Sequence, residues 1–128
     1  MKIVLGKTAS VCTTVTASNT ATAVRSGSLD VFATPMMIAL MELAACECLA
    51  DCLDIGQTSV GCSVNIEHCA PSPLGAQITA TATIEHIVGR KIEFLVSASD
   101  GGKEIGKGRH MRVIVDAQRF MENVIHNQ

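Results

Sequence analysis

Thr34-Pro35-Met36-Met37-Ile38-Ala39-Leu40-Met41-Glu42-Leu43-Ala44-Ala45-Cys46-Glu47-Cys48-Leu49-Ala50-Asp51-Cys52-Leu53 is the stretch that decides the fold. Pro35 suits the first position of a helix, where its missing N–H has no partner to lose, and Thr34 is placed to cap that end. Gly56 follows the other end. The spacing therefore predicts one long helix from Pro35 to about Leu53. Its apolar residues, among them Met36, Ile38, Leu40, Leu43 and Leu49, spread around most of the circumference, so the helix is expected to be buried on most sides.

Upstream of that helix, residues 8–28 are rich in Thr, Ser and Ala and suit a strand followed by a mobile loop. Downstream, apolar residues alternate instead of recurring at helical spacing, which predicts strands near 59–68, 76–88, 90–99 and 105–115. Val88-Gly89-Arg90 and Ser99-Asp100-Gly101-Gly102 supply turns between successive strands, as in an antiparallel meander. The pattern is α+β. A curved antiparallel β-sheet wrapped around one long central helix satisfies both observations, and that arrangement is the hot-dog fold.

The 128 residues, 48% hydrophobic and 17% charged, suit a single soluble globular domain over 1–128. A formal net charge of -2 supplies no basic stripe for a phosphate backbone, so no nucleic-acid partner is expected. No charge-free apolar run approaches the roughly 18 to 20 residues of a membrane span, and the N-terminal residues are too few for a signal-peptide core. No membrane partner is expected, and the reading is cytoplasmic. The six cysteines are read as free thiols in a chain large enough to fold without disulfides. With no Trp, no Tyr and three Phe, platforms for stacking bases are missing.

Three residues stand out for chemistry. At about 100° per residue, Glu47, Asp51 and Asp54 lie roughly 120° to 180° from Glu42, which sits instead on the stripe of Ile38, Ala39, Ala45 and Cys46. Such a carboxylate is expected to be desolvated, and either satisfies a buried donor or has a chemical task. Along Val60, Cys62, Val64, Ile66 and His68 the apolar residues share one parity, which puts His68 on the inward face just before the bend Ala70-Pro71-Ser72-Pro73. There it is either a hydrogen-bonded core histidine or a base. His86 shares its own strand's apolar parity, a warning that parity alone is a weak signal. Thr34 reads first as the helix cap. The amides of Met36 and Met37 at that helix end are candidates to stabilise an oxyanion.

Two other patterns carry less. In Cys46-Glu47-Cys48-Leu49-Ala50-Asp51-Cys52, Cys48 and Cys52 share a side of the helix while Cys46 points roughly opposite. Only two thiols converge, so packing is favoured over a metal site and no metal is expected. Gly106-Lys107-Gly108 lacks the third glycine and the strand-to-helix setting of a dinucleotide loop.

Val31-Phe32-Ala33-Thr34-Pro35, Met41-Glu42, Val60-Gly61, His68-Cys69-Ala70-Pro71-Ser72-Pro73-Leu74-Gly75, Val88-Gly89-Arg90 and Gly106-Lys107-Gly108-Arg109-His110-Met111-Arg112 together resemble the fluoroacetyl-CoA thioesterase family of hot-dog proteins. The resemblance spans roughly residues 30–118. It implies an acyl-CoA hydrolase, assembled as a homodimer or a dimer of dimers, in which Thr34, Glu42 and His68 match the family's catalytic residues. Gly61 matches a glycine near the acyl group. The family's aromatic lid would fall at residues 24–28, where no aromatic occurs, so the resemblance leaves the acyl group open. Arg109 and Met111 stand where the family commonly has a threonine and a glutamate.

The expected activity is hydrolysis of a small acyl-CoA or related thioester, with no cofactor beyond the coenzyme A of the substrate. His68 would move protons, Thr34 would attack or orient water, and Glu42 would polarise His68 or act as base. Eight residues of helix rise about 12 Å, so Thr34 and Glu42 cannot touch directly, and His68, water, substrate or a second subunit must bridge them. Arg90, Lys91, Arg109 and Arg112 are chosen by charge for the CoA phosphates. The alternative is a hot-dog module that binds acyl-CoA without turning it over.

Overall fold

The computed structural model describes residues 3–127; Met1 and Lys2, which belong to the N-terminal reading above, and Gln128 lie outside the described residues. The elements run β1 (Thr8–Thr14), α1 (Ala21–Val24), α2 (Thr34–Leu49), β2 (Gln57–His68), β3 (Gln77–Val88), β4 (Lys91–Asp100), β5 (Lys103–Asp116) and α3 (Ala117–His126). The strands form one sheet in the order β1-β3-β4-β5-β2, antiparallel throughout. The expected meander is therefore β3-β4-β5, with β2 returned to its outer side and β1 closing the other edge.

Helix α2 packs on the inner face, chiefly against β3 and β1. Small residues meet small residues there: Ala44, Ala45 and Cys48 on the helix, Ala80, Ala82 and Ala98 on the sheet, all fully or almost fully buried. Gly106 serves the same close approach, since a Cβ on it would sit 2.5 Å from Met37 Sδ. Gly108 leaves room for the Asn65 backbone, with which a Cβ would collide. Packing thus explains both glycines of Gly106-Lys107-Gly108.

Three expectations are corrected. The helix ends at Leu49, not Leu53, and its cap is Ala33, with no side-chain hydrogen bond; Thr34 is already its first residue. The helix is buried on most sides, with one open strip where Ala39 and Leu43 are exposed, Leu43 by 47%. An apolar strip of the helix is thus left uncovered, and β2 is an edge strand of the sheet. Finally, residues 8–28 hold β1 and the short α1, and the amphipathic α3 follows β5, capped by Asp116 Oδ1 accepting from the Arg119 amide at 2.9 Å.

The register shifts at three places, at Cys62 in β2, Glu85 in β3 and Ile105 in β5, and the first two reset which candidate side chains face inward. At Cys62 the register against β5 shifts, so Gly61 pairs with inward Arg112, whereas Val64, Ile66 and His68 pair with inward His110, Gly108 and Gly106. Val60 and Cys62, expected inward, are displaced from that face, and Gly61 takes the place beneath α2. At Glu85 a second bulge breaks the parity of β3, and His86 emerges 65% exposed at its side chain. Among the described residues, no helix is long and apolar enough to cross a membrane.

Candidate active site

Two extended segments clamp the start of α2 against the end of β2. Val31 bridges to Pro73, and the Phe32 amide donates to the Ser72 carbonyl at 2.9 Å. That clamp sets Thr34 beside His68. Thr34 Oγ1 and His68 Nδ1 are 2.7 Å apart. Because Ala33 caps the helix through its backbone alone, the Thr34 hydroxyl is spared for the imidazole.

Burial lowers the His68 pKa below the ordinary 6.5, with the Ala70 backbone opposing part of the drop. The ring is therefore neutral at neutral pH. In the tautomer protonated on Nε2, the Thr34 hydroxyl donates to Nδ1, the arrangement by which an imidazole activates a hydroxyl. The enclosed Nε2 has no hydrogen-bond partner among the described residues. A cleft of about 320 Å³ opens at this pair, lined by Val31, Phe32, Thr34, His68, Ala70 and Pro71 together with Ala21, Ser26 and Cys69. Small side chains, Ala21 and Ser26, stand on the wall supplied by α1 and its following turn.

Glu42 belongs to a different cluster. Its Oε2 lies 3.5 Å from Arg112 Nη1 and 3.9 Å from His110 Nε2, and a Cβ on Gly61 would approach it to 2.8 Å. The expected desolvation is incomplete, since its side chain stays 41% exposed. Gly61 is needed here because a side chain would displace the carboxylate. Arg112 is enclosed, with Nε donating to Ser59 Oγ at 2.8 Å and Nη2 to the Ser59 carbonyl at 3.0 Å. His110, 1% exposed, shares its Nδ1 with the Ser63 carbonyl at 2.9 Å and stacks on Phe94. Burial and Arg112 lower the His110 pKa, against Ser63 and Glu42.

Thr34 and His68 are thus joined, while Glu42, Gly61 and Arg112 are joined elsewhere. Seven residues of β2 separate Gly61 from His68, on the order of 20 Å of strand. The Met36 and Met37 amides, expected free for an oxyanion, both donate to the Ala33 carbonyl at 3.0 Å. None of Arg90, Arg109 and Arg112 lines the Thr34–His68 cleft. Arg90 lies in a separate hollow with Gln57, Arg119 and Asn123, Arg109 binds Glu85 at 3.0 Å on the outer face, and Arg112 serves Glu42. His110 was passed over in the sequence. Its signal was the inward parity it shares with Arg112, since a buried cation on a core face needs an acid opposite it.

Residues 15–118 match the model of the family described as fluoroacetyl-CoA-specific thioesterase. The fluoroacetyl-CoA thioesterase of Streptantibioticus cattleyicolor is 38% identical over 95 residues, 74% of this chain and 68% of that protein. Among solved structures, a mutant of the fluoroacetyl-CoA-specific thioesterase in complex with fluoroacetate and CoA superposes with a TM-score of 0.86 at 31% identity, covering 91% of this chain and 98% of that one. A thioesterase-superfamily protein of Thermus thermophilus superposes with a TM-score of 0.91 at 28% identity, over 98% of this chain and 93% of that one. With a hydroxyl–imidazole pair at the mouth of a cleft, a curled antiparallel sheet around one helix, and a match over most of its length, the chain belongs to the fluoroacetyl-CoA-specific thioesterase family of hot-dog proteins.

Proposed function

We propose that this chain, acting as one domain over 1–128, hydrolyses an acyl-CoA thioester to the free acid and CoA. The observation that carries the reading is the 2.7 Å contact between Thr34 Oγ1 and a neutral His68 at an open cleft. His68 accepts the proton as Thr34, or a water it orients, adds to the thioester carbonyl, and returns it to the departing CoA sulfur; where Thr34 itself adds, a water deprotonated by the same imidazole then cleaves the acyl-threonine ester, releasing the free acid and restoring the hydroxyl. No cofactor is required beyond the substrate's own coenzyme A. Small residues at the rim and the absence of an aromatic at 24–28 favour acyl groups beyond fluoroacetyl.

Glu42 enters through a second subunit in this reading. Strand β2 is a 12-residue edge, and Ala39 and Leu43 leave an uncovered apolar strip on α2. Edges of that length invite pairing with another strand. Two copies related by a twofold axis would run their β2 edges and α2 helices antiparallel, bringing Glu42 of the partner subunit toward Thr34 and His68. Each homodimer then holds two composite sites. Arg112 orients Glu42, while Arg90 and Arg109 remain the exposed candidates for CoA phosphates. Six free thiols among the described residues suit a reducing, cytoplasmic setting.

The test is CoA release from a panel of acyl-CoAs, acetyl through medium-chain and aryl, followed by chromatography because thiol dyes would label the protein's cysteines. Turnover of at least one acyl class that collapses in His68→Ala is expected. CoA binding without turnover of any member would leave a binding module instead.

A further inference from the structure

Glu85, His86 and Glu93 gather on the outer face of the sheet, opposite the face that carries α2 and the cleft. In an unbroken strand Glu85 and His86 would point to opposite faces. The bulge at Glu85 turns both outward, and Glu93 is the direct cross-strand partner of His86. His86 Nδ1 lies 2.8 Å from Glu93 Oε1 and 3.8 Å from Glu85 Oε1. One donor atom from each residue falls within 4.8 Å of the other two. Arg109 holds Glu85 in this outward position through Nη2 at 3.0 Å and Nε at 3.3 Å.

We propose that Glu85, His86 and Glu93 form a site for one borderline divalent transition-metal ion, with zinc as the probe. One imidazole nitrogen and two carboxylate oxygens are a ligand set zinc accepts at about 2.0 to 2.2 Å per bond, which small rotations of these side chains provide. Glu93 and Glu85, the latter shared with Arg109, supply the anionic oxygens. Too few oxygens converge for calcium, and the imidazole selects against magnesium. A cleft of about 330 Å³ lined by His86, Val88, Lys91, Glu93 and Met111 leaves room for a water as fourth ligand, with the Lys91 ammonium required to swing away from the ion. The site is on the far side of the sheet from Thr34 and His68 and takes no part in the proposed hydrolysis, so it stands or falls without it.

The experiment is calorimetric titration of Zn²⁺ into the reduced full-length protein, its His86→Asn variant and its Glu93→Gln variant. A parallel titration with Co²⁺ is read by absorbance, because thiolate ligation adds an intense near-ultraviolet band that nitrogen and oxygen ligands do not. The expected result is one Zn²⁺ per chain, at least about tenfold weaker in each variant, and cobalt bands without the thiolate signature. Absence of binding, equal binding in the variants, or a thiolate band that survives His86→Asn would each overturn the assignment.

Discussion

Thr34 Oγ1 sits 2.7 Å from His68 Nδ1, joining the first residue of α2 to the last residue of β2. The contact exists because the residue before it, Ala33, caps the helix without a side chain. Thr34→Val keeps the shape and removes the hydroxyl. CoA release is expected to fall about 10² to 10⁴-fold, the range over which positioned proton transfer contributes, with the melting temperature little changed. A Thr34→Val enzyme with near-normal kcat would remove Thr34 from the chemistry.

Arg112 is the hinge of the second cluster, contacting Glu42, His110 and Ser59 at once. Arg112→Met fills the space but leaves the Ser59 carbonyl and the His110 nitrogen without their donor. A stability loss of about 2 kcal/mol is expected by urea denaturation, typical of buried groups deprived of a partner. The kcat should fall with it as Glu42 loses its orientation. Unchanged stability and unchanged kcat would contradict the assigned role.

Acid should weaken the fold through His68 and His110. Both imidazoles are held below the ordinary 6.5, chiefly by burial. Below about pH 6.5 the unfolded chain binds these protons before the folded one, so stability falls with pH until the depressed folded values are passed. From about a unit above 6.5 neither group contributes slope. Urea midpoints at pH 7.5 and 5.5 are expected to differ less in His110→Gln than in the unaltered chain; a difference as large in the variant would exclude His110 as a source of acid sensitivity. The acid limb of kcat/KM should likewise lie below 6.5, because His68 must be neutral to act.

Leu43 is apolar and 47% exposed on α2. Leu43→Glu places a charge on that face without touching the core of the chain. Sedimentation is expected to show a shift from dimer to monomer, with near-unchanged circular dichroism and loss of CoA release. A variant that stays dimeric and active would place the interface elsewhere.

The helix, the downstream strands and their antiparallel order were legible in the sequence, because Pro35 and Gly56 bracket an apolar run too long for a strand and the apolar residues after Gly56 alternate with a period of 2. The bulges at Cys62 and Glu85 were not, since an inserted residue changes parity without changing composition. That is why His86 was read as inward, and why Gly61 was known only by resemblance. Thr34 as a cap was the reading local propensity favours; the clamp between Val31 and Pro73, a long-range contact, overrode it. Helix α3 had its signals in Asp116 and in Phe120, Met121, Val124 and Ile125, obscured by the strand that runs directly into it. The division of the site into two clusters followed from helix rise alone, but the identity of Glu42's companions required the fold.

The most direct test of the composite site is complementation between two inactive chains. Thr34→Val and Glu42→Gln proteins are mixed, unfolded and refolded together, and CoA release is measured against each alone. If Glu42 acts across the dimer, half of the dimers are mixed and each restores one of two sites, so activity should return to about a quarter of the unaltered enzyme's. Mixed dimers that form but recover no activity would contradict the account.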